Sequence, residues 1–303
     1  MPRSGGGQGG IAKTRAMRVS IGEVSLFFEV FGREWAFQGD ELRRRPVLVG
    51  LHGGPGFDGT KLRHTLEPLA DVAQVIVPDQ RGQGRSDRDG PGGWNLATWA
   101  ADVKAFCDAL EIEQPIVFGV SFGGVVAQKY AATYPAHPGG LILLSTSARF
   151  PNTDELVERF RELGGDEAAD VARRDLEDPT EETLAEWQRV CEPFYSRTPN
   201  PDPGLARAIA AAIRVPEVNV HFMSGEAKSL DLRGELERIA CPVLVLAGAH
   251  DPLLSRHLRE ELAAAIPNAR LEVIEEASHD VFADDPDHTY RCLRGFLYEL
   301  AAI

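Results

Sequence analysis

Cysteine is scarce in this 303-residue chain. The four present, Cys107, Cys191, Cys241 and Cys292, never fall in a C-x-x-C spacing, and each sits in a segment that reads as core strand or helix. That pattern excludes a disulfide framework and a zinc ribbon, and predicts buried thiols. H-E-x-x-H and clustered Cys/His are also missing, so no metal is expected. Nowhere does the chain reach the roughly 18 consecutive apolar residues of a membrane span. Positive charge is in deficit as well: 32 Lys and Arg face 46 Asp and Glu, a formal net charge of -14, with no basic block to offset it. Such a surface repels phosphate backbones and anionic lipid, so neither nucleic acid nor a membrane is expected as partner. The opening "MPRSGGGQGGIAKTRAMR" holds no apolar stretch of secretory-signal length, which predicts cytoplasmic residence and a disordered Gly-rich tail over residues 1–16.

What is present is ample material for a core, with 43% hydrophobic residues. Two strands around Gly22 open the folded part. Short apolar runs follow at 46–53, 74–79, 115–120, 141–146, 242–248 and 271–278, with helical periodicity between them, as in "NLATWAADVKAFCDAL" (95–110) and "GVVAQKYAATY" (124–134). Near-continuous apolarity suits parallel strands covered on both faces, so the chain reads as an open α/β sheet. Residues 150–236 break the alternation with charged helical segments separated by Pro and Gly. They read as a helical cap inserted after the strand at 141–146, leaving 17–149 and 237–303 as the core. One cap helix starts near Asp178-Pro179 and presents Leu184, Trp187, Cys191 and Phe194 on one face.

Residues 118–124, "FGVSFGG", contain G-x-S-x-G, a pattern that arises by chance in roughly one chain of this length in ten. Its context decides its weight. The strand "PIVFGV" runs directly into Ser121 and a helical stretch follows, the strand, sharp turn and helix of a nucleophile elbow, in which Gly119 and Gly123 must be small for strand and helix to pass. A base is expected late in the chain at a strand's carboxyl end, where "EEASHDVF" supplies His279. The orienting acid is Asp251 in "LAGAHDPLL". Asp280 is the weaker candidate, because adjacent side chains leaving a strand point apart, and the earlier strand ends in Ser145, Thr146 and Ser147 without a carboxylate. Two backbone N–H groups must face the developing oxyanion: Phe122 at the start of the elbow helix, and Gly54 in "HGGPG".

Taken together, "HGGPG" (52–56), "DQRGQGRSD" (79–87), "GVSFG" (119–123), Asp251 and His279 resemble the α/β-hydrolase superfamily, and the first two resemble its prolyl aminopeptidase branch. The resemblance runs from residue 46 to the C-terminus apart from the cap. It implies a mostly parallel sheet of about eight strands flanked by helices, and a triad of Ser121, His279 and Asp251. It also implies oxyanion donors at Gly54 and Phe122, with Asp79 to Gly82 as a structural turn. The branch holds a substrate's free amine with acidic residues, for which Glu217 in "RVPEVNV" is either an anchor or a surface charge.

The expected chemistry is hydrolysis of a carboxylic ester or lactone, chosen by Trp187, Phe194, Tyr195, Phe222 or Met223 of the cap, with removal of an N-terminal residue from a short peptide as the alternative. No cofactor is expected. One rival reading uses "GPGFDG" (54–59) as a dinucleotide loop with Asp79 as its ribose acid, although Pro55 removes a donor from that loop. A small-molecule receptor that keeps the fold is the other rival.

Overall fold

The computed structural model describes residues 15–38, 40–198 and 203–301. The tail expected over residues 1–16 lies outside the described residues as far as residue 14, and its last two residues open the first strand, β1 (Arg15–Ser20). β1 pairs antiparallel with β2 (Ser25–Phe31). A separate two-stranded hairpin, β3 (Trp35–Gln38) and β4 (Glu41–Arg44), then stands apart from the main sheet, with every residue of β4 exposed. The sequence does not announce it, because each strand is only four residues long and its apolar side chains, Trp35, Phe37 and Leu42, are exposed and build no buried run.

The α/β alternation follows: β5 (Val47–Leu51), α1 (Thr60–Leu66), β6 (Gln74–Pro78), α2 (Leu96–Ala109), β7 (Ile116–Val120), α3 (Phe122–Thr133) and β8 (Gly140–Leu144). Four helices come next, α4 (Thr153–Glu177), α5 (Glu181–Val190), α6 (Pro203–Ala211) and α7 (Pro216–Ser224). The alternation resumes with β9 (Val243–Gly248), α8 (Arg256–Ala265), β10 (Ala269–Ile274), α9 (Val281–Asp284) and α10 (Pro286–Ala301). Eight strands form one sheet in the order β1-β2-β6-β5-β7-β8-β9-β10, parallel from β6 to β10 and antiparallel at the β1, β2 edge. This is the α/β sheet that the apolar runs predict, with the mostly parallel, eight-stranded form that the family resemblance implies.

Successive strand residues point to opposite faces, and here both faces are covered. Val49, Val117, Leu143 and Val245 pack under α2 and α3 with Trp99, Phe106 and Tyr130. Their neighbours Leu48, Phe118, Ile142 and Leu244 pack on the other face with Leu66, Leu293 and Phe296. Helices α4 and α5 build a further core of their own from Leu156, Val157, Phe160, Trp187 and Cys191, with the Phe160 and Trp187 rings 4.9 Å apart. The start of α5 is set by Thr180, which exchanges side-chain and backbone hydrogen bonds with Thr183 in a capping box, two residues beyond the Asp178 start read from sequence. Cys107, Cys191 and Cys241 are buried free thiols and Cys292 is half-buried; burial pushes Cys107 up to about 12. Among the described residues, no helix is long and apolar enough to cross a membrane.

Candidate active site

Parallel strands deliver their following loops to one edge of the sheet, and the candidate residues lie on those loops. β7 ends at Val120 and α3 begins at Phe122, so Ser121 alone makes the turn, with φ 53 and ψ -120. A non-glycine residue in that region stores strain of about 1–3 kcal/mol that the surroundings must hold in place. The glycines explain how they do so. A Cβ on Gly119 would lie 2.7 Å from the Gly124 Cα, and one on Gly123 would lie 2.6 Å from the His52 carbonyl oxygen. The turn is pinned by Ser121 N–H donating to the Leu144 carbonyl at 2.9 Å. Although Ser121 occupies the N-cap of α3, its side chain makes no capping hydrogen bond, so the hydroxyl is not spent on the helix.

The loop after β5 packs against this turn. A Cβ on Gly53 would stand 3.4 Å from the Ser121 Cβ, and Gly54 and Gly56 adopt φ 126 and 90. Gly56 N–H donates to Gln83 Oε1 at 2.7 Å, while Val215 N–H and the Asn219 side chain donate to the Gly56 and Pro55 carbonyls at 2.7 and 3.2 Å. Among the described residues neither Gly54 N–H nor Phe122 N–H has an acceptor, and both residues line the cavity that Ser121 faces. His52 is a structural residue: Nδ1 donates to the Gly53 carbonyl at 2.9 Å, Nε2 accepts from Gln80 N–H at 3.1 Å, and burial lowers its pKa. Asp79 is fully buried and committed, accepting from Gly59 and Arg85 N–H at 2.8 Å each and from the Arg63 guanidinium. It therefore holds the loop and cannot serve a ribose, which removes the dinucleotide reading.

At the end of β9, Asp251 is fully buried. One carboxylate oxygen accepts from Leu253 and Leu254 N–H at 2.8 and 3.2 Å, and the other from His279 Nδ1 at 2.8 Å. β10 stops at Ile274, shorter than the 271–278 run suggests, and the turn that follows carries His279 back over the acid. Gly248 permits that crossing, since a Cβ there would meet the Ala277 carbonyl at 2.5 Å. Ser145, at φ 47, donates to the His279 carbonyl at 2.8 Å. Sequence reading treated it only as a missing carboxylate, since nothing local signals a hydroxyl that buttresses a loop 134 residues away. Asp280 is used elsewhere, pairing with Lys61 at 2.7 Å and accepting from Ala283 N–H.

Ser121 and His279 line the same cavity of about 350 Å³; among the described residues no hydrogen bond yet joins them. Trp187, Tyr195, Phe222 and Met223 line it too. Two expected contacts do not. Phe194 turns into the α4 and α5 core beside Gly164 and Phe160, and Glu217 is exposed on the first turn of α7. Among the described residues four acidic groups line the cavity: Asp280, paired with Lys61, Asp58, which accepts from Thr60 and Ile213 N–H, and Glu192 and Asp175, which the sequence does not single out. Burial raises the Glu192 and Asp175 carboxyls; Arg214, Lys61 and His279 oppose the effect at Glu192, as does the Thr183 hydroxyl, 2.9 Å away, at Asp175.

Comparison with known proteins agrees with this fold. A family model described as the alpha/beta hydrolase fold matches residues 46–286. Proline iminopeptidase PfmaB of Pestalotiopsis fici is 25% identical over 283 residues, 89% of this chain and 98% of its own. The solved structure of a thermophilic esterase from Thermogutta terrifontis is 28% identical with a TM-score of 0.70, covering 95% of this chain and 99% of that one. An enol-lactonase from Burkholderia xenovorans LB400 shares the fold at 22% identity and a TM-score of 0.72, over 93% of this chain and all of its own.

Proposed function

This chain belongs to the α/β-hydrolase family and is a hydrolase, and we propose that it cleaves a carboxylic ester or lactone through an acyl-enzyme on Ser121. The observation that carries the proposal is the 2.8 Å bond from His279 Nδ1 to the buried Asp251 carboxylate. A carboxylate only accepts, so Nδ1 bears the proton and Nε2 keeps the lone pair that can take one from Ser121. Ser121 then attacks the substrate carbonyl, and the unengaged N–H groups of Gly54 and Phe122 hold the oxyanion. Each such donor is worth about 10²–10³ in rate. His279 returns the proton to the departing alcohol, and water releases the acyl group by the same route in reverse. Helices α4 to α7 serve as the cap, whose side chains Trp187, Tyr195, Phe222 and Met223 select the apolar part of the substrate.

Glu192 and Asp175 favour a second reading, cleavage of an N-terminal residue whose free amine these carboxyls would hold, and the Pestalotiopsis relative is named a proline iminopeptidase. The ester reading is preferred because Lys61 and Arg214 bring positive charge to Glu192, which would repel a substrate ammonium. A fluorophosphonate probe is expected to label Ser121, and Ser121→Ala to abolish the label with the melting temperature unchanged; labelling of another serine would refute the assignment. Side-by-side turnover of p-nitrophenyl esters, lactones and prolyl-arylamides separates the two readings, faster release from the arylamide supporting the second.

A further inference from the structure

Tyr195 ends a single helical turn, Glu192–Tyr195, and its ring lies against the His279 imidazole with centroids 4.9 Å apart. Its carbonyl accepts from Asp280 N–H at 2.8 Å, which ties the turn to the histidine loop. Trp187 Nε1 donates to the Tyr195 hydroxyl at 2.9 Å. An indole N–H can only donate, so the phenol is the acceptor in that contact and its own O–H is unspent. Among the described residues nothing else accepts it. Burial holds the phenol well above its ordinary pKa, keeping it a protonated donor. Trp187, Tyr195, His279 and Ser121 all line the same cavity.

We infer that Tyr195 is a catalytic residue acting on the leaving group, its O–H donating a hydrogen bond to the substrate oxygen that departs as the acyl-enzyme forms. The inference rests on the serine-hydrolase reading above. Its direction follows from the ring contact: Tyr195 lies on the imidazole, the group that must deliver a proton to that oxygen, and not on the loop that carries the Gly54 amide. In this step the C–O bond of the tetrahedral adduct breaks and its electron pair leaves on the departing oxygen. That oxygen takes the proton His279 had accepted from Ser121, while Tyr195 keeps its own. The hydrogen bond spreads the negative charge before the proton arrives, so it matters most for a basic alkoxide and least for a stabilised phenolate.

Tyr195→Phe keeps the ring and removes the donor. With one acyl group and a series of ethyl, phenyl and p-nitrophenyl esters, kcat/KM reports the chemistry up to acyl-enzyme formation. The expected result is a loss of about 10- to 100-fold on the ethyl ester against less than about 3-fold on the p-nitrophenyl ester. Trp187→Phe, which frees the hydroxyl without deleting it, is expected to shift the series the same way by a smaller factor, and it carries the test if Tyr195→Phe does not fold. Equal losses along the series, or none, would overturn the role of Tyr195. If the wild-type protein neither hydrolyses any ester nor takes the fluorophosphonate at Ser121, the underlying serine-hydrolase reading fails instead.

Discussion

At the scale of single residues, the glycines around Ser121 matter through what they leave unoccupied. Alanine is ordinarily preferred to glycine inside a helix by about 1 kcal/mol. At Gly123 the sign reverses, because the added methyl would sit 2.6 Å from the His52 carbonyl and push α3 off the loop that carries Gly54. Gly123→Ala is expected to cost more than about 2 kcal/mol in urea unfolding and to slow fluorophosphonate labelling. Gly295→Ala in α10, where nothing lies within 4 Å of the new Cβ, should instead gain up to about 1 kcal/mol. Both glycines look alike on a helical wheel. The elbow pattern distinguishes Gly123 in the sequence, since G-x-S-x-G states which glycine must be crossed by another chain segment.

At the scale of elements, α7 braces the loop that carries Gly54. Val215 N–H and the Asn219 side chain satisfy the Gly56 and Pro55 carbonyls, so the region between β8 and β9 helps to fix where the Gly54 amide points. Asn219→Ala leaves the Pro55 carbonyl short of a partner in a buried place. It is expected to lower kcat about tenfold on an ester substrate while reducing the melting temperature by only about 1–3 °C; an unchanged kcat would show that the loop holds itself. The sequence analysis singles out Glu217 in "RVPEVNV" as either an amine anchor or a surface charge, and it is exposed. Val218 and Phe222 are buried four residues apart, and that pair sets the inward face, which Asn219 shares and Glu217 does not. A glutamate's charge suggests function wherever it stands, whereas an asparagine's contribution here depends on a carbonyl 164 positions away.

At the scale of the whole molecule, the cavity imposes a pH dependence on folding. Burial raises the Asp175 carboxyl, so the folded state holds that proton more tightly than the unfolded chain does. The sign follows: stability from this group is fully present below the unfolded value of about 3.9 and is lost as pH rises through the elevated folded value. Asp175→Asn keeps an acceptor for the Thr183 hydroxyl without the buried charge. The variant should melt about 1–3 °C above wild type at pH 7, with the gap closing near pH 4; a constant gap across that range would mean that folding does not raise this carboxyl. The overall charge of -14 makes neutral pH the more demanding side, because each further acidic group adds to the same repulsion.

The sequence by itself determined the sheet, because both-face burial writes itself as apolar runs and the gaps between them carry helical periodicity. It also carried the elbow, whose strand, serine and glycines are contiguous, and named His279 and Asp251 as ends of strands. Tertiary structure alone decided that these two share a hydrogen bond, that Ser145 supports the histidine loop, and that Glu192 and Asp175 reach the cavity while Phe194 and Glu217 do not. The reason is one of range. Strand and helix identity follow from periodicity within a dozen residues, whereas the facing of a side chain on the helices between β8 and β9 depends on how those helices pack, which no local pattern encodes.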